Sequence, residues 1–311
     1  MSTVKVEKCK HNNWGECVKV SNGIIEFVAT VEMGPRIIRL GKVGGPNELF
    51  DDPAKEAFVE HEELEKFWGN NRFYNMGGHR LWHSPENMPK TYLDNYAPIT
   101  YEFLPKGVKI VSDYNKLGLR NTIFATMEDD GQMTIDHHVT NIGDCDIEFA
   151  PWAITIFALG GLGITPVSQI DTGFLSNRTL MMWPYADAND KRFKMDNKYI
   201  YMTTDSCGDT KNVNAFKIGT NNVDGYAMYF NHNNLFVKKF DYDSTARYPD
   251  NGCNSETYTN FRLMEIESLG AIQNVKPGET AVHTEKWYLY LNVDMPETTE
   301  QIDEIVEKYV K

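Results

Sequence analysis

The chain predicts an all-β protein built from large antiparallel sheets, and three observations carry that prediction. Segments 24–31, 108–112, 122–127, 133–140, 198–204, 226–230, 262–268 and 283–292 alternate apolar with polar residues and are rich in Val, Ile, Thr, Tyr and Phe. That is the period of a strand with one buried face. Between such segments stand turns: Glu-Asp-Asp-Gly at 128–131, Asn-Ile-Gly-Asp at 141–144 and Lys-Pro-Gly-Glu at 276–279, whose residues supply the backbone angles that reversals need. No internal repeat, low-complexity tract or linker divides the 311 residues. The simplest architecture is one β domain over 1–311 with roughly 15 or more strands.

Two segments depart from the strand pattern. Residues 54–68 are acidic, carry Ala57, Phe58, Leu64, Phe67 and Trp68, and read as a short helix or ordered insertion. Near the C-terminus, Pro296 and a Thr298 or Thr299 cap precede Ile302, Ile305, Val306, Tyr309 and Val310. Their helical spacing predicts an amphipathic helix over 298–310 that packs on the body.

A formal net charge of -13, with no basic cluster beyond pairs such as Lys238-Lys239, argues against nucleic acid or an anionic membrane as partner. The N-terminal MSTVKVEKCKHNNW lacks the apolar core of a secretion signal, so a cytoplasmic location is expected. The longest apolar run, 149–164, contains Pro151 and Thr155 and is too short and broken to span a bilayer. Cys9, Cys17, Cys145, Cys207 and Cys253 are odd in number and form no CxxC pair. They read as reduced thiols, with neither a disulfide framework nor a zinc site.

Between Gly77 and Glu86 the chain reads GGHRLWHSPE. The glycines permit close backbone approaches, and strand alternation puts His79, Leu81 and His83 on one face and Arg80 and Trp82 on the other. Arginine offers a planar fork of donors to hydroxyls, and tryptophan a plate for the C–H face of a pyranose. The bland reading has Leu81 and Trp82 as core and Arg80 in an ion pair.

In SETYTNFRLMEIESLG, 255–270, alternation places Leu263, Glu265, Glu267 and Leu269 together, opposite Arg262, Met264, Ile266 and Ser268. The two carboxylates, roughly 7 Å apart, are either solvated or line a polar cavity. Glu279 follows Pro277-Gly278 and opens a strand, either as a solvated hairpin residue or as a carboxylate aimed into a cleft.

His137 and His138 point to opposite faces and His232 stands alone, so no transition-metal site is expected. Asp171, Asp205, Asp241 and Asp243 read as turn acids rather than calcium ligands. Without GxGxxG, a P-loop or GxSxG, no nucleotide cofactor or serine nucleophile is indicated.

Taken together, GGHRLWHSPE, HHVTNIGDCDIEFAPWAITIFALGG, EIESLG and PGETAVHTEKW resemble the galactose-mutarotase-like superfamily, and within it a bacterial aldose-epimerase-like branch. The similarity runs in order from about residue 25 to 293. It implies a β-supersandwich, a small carbohydrate as partner, no cofactor, and an aldose 1-epimerase type of reaction in which a glutamate base and a histidine acid open and reclose the ring. The Pro-Gly-Glu turn carries the role of base to Glu279. The family's histidine position is Ile154 here, and an arginine before the glycine pair is Met76.

The expected acid is therefore His79 or His83, with Arg80, Trp82, Glu265, Glu267 and His232 in substrate binding. A non-catalytic sugar-binding or sensing protein is the alternative, and a lyase or hydrolase on the same fold is a third reading.

Overall fold

The computed structural model describes residues 3–204 and 215–311; Cys207 and Asp205 lie outside the described residues. Two large sheets dominate, and every strand pair in them is antiparallel. The larger runs in the order Lys5–Lys10, Glu16–Ser21, Ile25–Thr30, Arg36–Lys42, His79–Ser84, Ile147–Phe157, Met264–Leu269, Ser255–Thr259, Phe216–Thr220, Leu180–Met182, with Gln273–Val275 pairing off the path on Ile147–Phe157. The second runs Phe193–Met195, Tyr199–Thr203, Leu162–Pro166, Tyr226–Asn231, Asn234–Phe240, Thr280–Leu291, Met133–Asn141, Leu119–Met127, Gly107–Tyr114, Ile99–Leu104.

The apolar face of each alternating strand has only one place to go, the gap between the sheets. Phe27, Ile37 and Leu81 of the larger sheet meet Ile135, Phe236 and Trp287 of the other in a single cluster. Each fully buried aliphatic or aromatic side chain there contributes about 1.5–3 kcal/mol. Cys17 and Cys253 are buried among such groups as free thiols, and Cys9 and Cys145 are also free.

The C-terminal helix is Thr299–Tyr309. Thr298 caps it by accepting from Gln301 N while the Gln301 side chain accepts from the Thr298 backbone, satisfying two otherwise orphaned donors. Ile302, Val306 and Val310 pack against Tyr199, Tyr226 and Leu235 on the outer face of the second sheet. Residues 54–68 hold the short helix Glu62–Trp68 and, before it, the strand Phe58–Glu60, which pairs with Arg72–Tyr74.

Gly77 and Gly78 stand where no other residue fits. Both have positive φ, and a Cβ would lie 2.1 Å from Phe50 O at Gly77 and 2.4 Å from Ile37 O at Gly78. This close approach carries the strand His79–Ser84 into the centre of the larger sheet. Among the described residues no helix is long and apolar enough to cross a membrane.

Candidate functional site

Directly opposed residues of an antiparallel pair share a face, so strand register alone assembles the site. One cross-strand row reads Arg80, Ile154, Glu267, Glu256; a second reads Ile156, Glu265, Tyr258, Lys217. The residues between them in sequence, His79, Thr155, Ile266 and Thr257, form a row on the opposite face, toward the second sheet. The two faces of these central strands therefore carry two polar clusters of different character.

The outer cluster lines a cavity of about 540 Å³, a volume suited to a small ligand. Arg80, Ile154, Glu265 and Lys217 are at its floor, and Trp82, Trp152, Trp183, Tyr185 and Tyr258 are among its walls. Phe58 comes from the insertion, Phe73 and Asn75 from the strand that pairs with it and the residue after that strand, and Glu86 and Tyr92 from the chain after strand His79–Ser84. The insertion is thus a wall of the cavity.

Arg80 donates through Nη1 to Asn75 Oδ1 at 3.0 Å and through Nη2 to Glu265 Oε1 at 3.4 Å. Its guanidinium stacks 4.1 Å from the Trp82 ring centre. Trp82 is also edge-packed by Phe73 and Trp152, so it braces Arg80 and leaves little open face. Phe58, Trp183, Tyr185 and Tyr258 are more open than Trp82.

Lys217 is 4% exposed. Its ammonium lies 3.1 Å from Glu267 Oε2 and 2.7 Å from Glu256 Oε2, the latter an ion pair without aligned hydrogen-bond geometry. It also sits 4.6 Å from the Trp152 ring centre and 4.7 Å from that of Trp183. Burial works against this ammonium, yet Glu267 and Glu256 hold its pKa well above the ordinary value. Glu267 also accepts from Trp152 Nε1 at 2.7 Å. Burial raises the pKa of Glu256 well above the usual carboxylate range against the pull of Lys217, and burial likewise raises that of Glu265 against Arg80. Glu265 thus sits against Arg80 while Glu267 and Glu256 share Lys217, which answers how Glu265 and Glu267 are both tolerated inside.

The inner cluster is closed. His137 Nδ1 donates to His283 O at 2.8 Å, which leaves its Nε2 to accept from His79 Nε2 at 2.7 Å, while His79 Nδ1 accepts from Thr155 Oγ1 at 2.9 Å. Ser268 Oγ donates to Glu285 Oε1 at 2.5 Å and accepts from His283 Nε2 at 2.6 Å. Lys238 lies 2.8 Å from Glu285 Oε1, and Trp287 Nε1 donates to Glu285 Oε2 at 2.7 Å. Burial pushes His79 and His137 down and His283 down to about 3, so all three stay neutral. The donor atoms of His79, His137 and Glu285 lie within 4.8 Å of one another, but each already has a partner within the protein.

Of the residues singled out from sequence, the structure brings Arg80, Trp82 and Glu265 to the cavity and sets Glu267 beneath it. His79 lies in the inner cluster. His83 is largely buried against Phe149, with its Nδ1 unpartnered and its pKa pushed down by burial to about 4. His232 lies in the turn after Tyr226–Asn231, where its Nδ1 is 3.1 Å from Glu48 Oε2. Glu279 is exposed in its turn, where it accepts from Lys276 N at 3.1 Å. These four are not among the cavity residues. Arg262 does line the cavity, because it precedes strand Met264–Leu269 and so escapes the alternation assigned to it. Sequence reasoning missed Lys217, Trp183, Tyr185 and Glu256; nothing local marks them.

A second groove of about 410 Å³ lies between the C-terminal helix and the second sheet, lined by Tyr199, Tyr226, Lys239 and Asp303.

Two stacked antiparallel sheets with a polar, aromatic-walled cavity on the outer face of the larger one define a β-supersandwich. The chain has the galactose-mutarotase-like fold. No family model matches the sequence, and no curated protein matches it. Among solved structures it is similar to a galactose mutarotase-like protein from Lactobacillus casei (TM-score 0.53, 10% identity, 88% of this chain and 100% of that one). It is also similar to YeaD of Salmonella typhimurium, described as a candidate mutarotase (0.55, 8%, 92% and 94%). A TPR-domain containing protein from Parabacteroides distasonis matches with TM-score 0.56 and 11% identity over 91% of this chain. This chain spans 49% of the length of that protein.

Proposed function

We propose that the cavity on the outer face of the larger sheet binds the ring of a small, unphosphorylated sugar. One observation carries this reading: hydroxyl-binding groups (Arg80, Glu265, Lys217) and partly open aromatic rings (Trp183, Tyr185, Tyr258) converge on one monosaccharide-sized space. Aromatic plates cover the C–H faces of a sugar while charged hydrogen bonds fix its hydroxyls. The carboxylates Glu56, Glu86 and Glu265 line the same space, with Glu256 and Glu267 nearby, which disfavours a phosphate. Calorimetric titration with neutral monosaccharides, uronates and sugar phosphates tests it. A neutral sugar should bind, and Glu265→Gln and Trp183→Ala should each weaken it; binding indifferent to both variants refutes the assignment.

Anomer interconversion is the second reading, and the Glu265 carboxyl favours it. That group is buried, has a raised pKa and faces the same cavity as Glu86, a suitable pair for ring opening. In this reading Glu265→Gln abolishes mutarotation measured by polarimetry above the uncatalysed rate, while Glu279→Gln does not change it. The opposite pattern returns the role of base to the Pro-Gly-Glu turn.

A further inference from the structure

Behind the floor of the cavity, two arginines share one small space. Arg36 is 3% exposed and Arg80 5%. Both line a cavity of about 10 Å³, together with Gly34, Asn95 and Tyr114, room for about one water-sized sphere. Arg36 donates to Gly77 O and to Asn95 Oδ1, each at 3.0 Å; both acceptors are neutral. Its Nε has no acceptor among the described residues, and neither does that of Arg80.

Among the charges that reach Arg36, the repulsion from Arg80 exceeds the attraction of Glu265. Glu265 itself stands 3.4 Å from Arg80, long for a charge-assisted bond. Two guanidiniums therefore share one carboxylate in the interior, where an unpaired charge is expensive. Arginine cannot relieve that cost by losing its proton.

We propose that this cavity is a binding site for a small monovalent anion of the halide type, held between the guanidiniums of Arg36 and Arg80. Its size excludes phosphate and sulfate, and its position gives the second positive charge a counterion. The proposal is independent of any reading of the larger cavity, although Arg80 lines both.

Crystals of the full chain soaked in bromide test it directly. An anomalous peak between the two guanidiniums is expected, and a site holding only water overturns the proposal. In solution, melting at constant ionic strength, with bromide replacing the bulky anion isethionate, should show a saturable rise in Tm that Arg36→Met abolishes. An identical, non-saturating salt response in both proteins also overturns it. If Arg36→Met fails to fold, the anomalous map of the unaltered protein still decides.

Discussion

Replacing Lys217 with methionine removes the cation that neutralises two buried carboxylates while keeping most of the side-chain volume. At 2.7 and 3.1 Å from Glu256 and Glu267, the two attractions are about 6 and about 5 kcal/mol at an effective dielectric of about 20. Desolvation of the three groups opposes most of this. What the substitution measures is the cost of stranding the carboxylates, about 3–5 kcal/mol for a buried pair broken on one side, a large fraction of the stability of an ordinary domain. The loss is pH-dependent with a definite sign. Without the ammonium, the buried Glu256 carboxyl, already raised by burial, takes up a proton more readily in the folded than in the unfolded chain, so the variant regains stability as pH falls. Urea unfolding at about pH 8 and about pH 5 should show a deficit of several kcal/mol at the higher pH that shrinks at the lower. Adding Glu256→Gln should restore part of the loss at pH 8. A deficit below about 1 kcal/mol, or one independent of pH, refutes the idea that this buried triad is held by charge balance.

The remaining predictions are simpler. Gly78→Ala should destabilise the protein by more than about 2 kcal/mol, because its Cβ meets Ile37 O at 2.4 Å in a residue of positive φ; thermal melting checks it. His283, held down to about 3 from an ordinary 6.5, stays neutral in the fold while the unfolded chain takes up a proton below about pH 6.5. It therefore costs stability as pH falls, about 2 kcal/mol at pH 5, and His283→Gln should narrow the difference between urea melts at pH 7.5 and pH 5 by that amount. Trp183→Ala should weaken sugar binding about tenfold with little change in Tm, since that ring is partly open to solvent.

Much of the fold was legible because strand alternation is a local property. The assignment of His79 and Leu81 to one face of their strand and Arg80 and Trp82 to the other holds in the structure, as does the pairing of Glu265 with Glu267. The capping box at Thr298 was likewise written within a few residues. The rest depends on register between distant strands. Arg80 meets Glu265 across 185 positions, and Lys217 reaches Glu267 across 50. Nothing in the segment around Lys217 marks it, because a lysine on a short strand is ordinarily solvated. Glycine-pair and turn motifs drew attention to His79, His83 and Glu279, but a motif does not reveal which side of a sheet its histidine enters. The inner face belongs to the closed network of His137, His283 and Glu285. Ile154, which the sequence resemblance sets at the family's histidine position, does face the cavity.

A crystal structure of the protein with the monosaccharide that most raises its Tm tests the central claim most directly. The sugar ring should lie against Trp183 and Tyr258, with a hydroxyl on Glu265 or Arg80. A sugar found instead in the groove beside the C-terminal helix, against Tyr199 and Asp303, would contradict it.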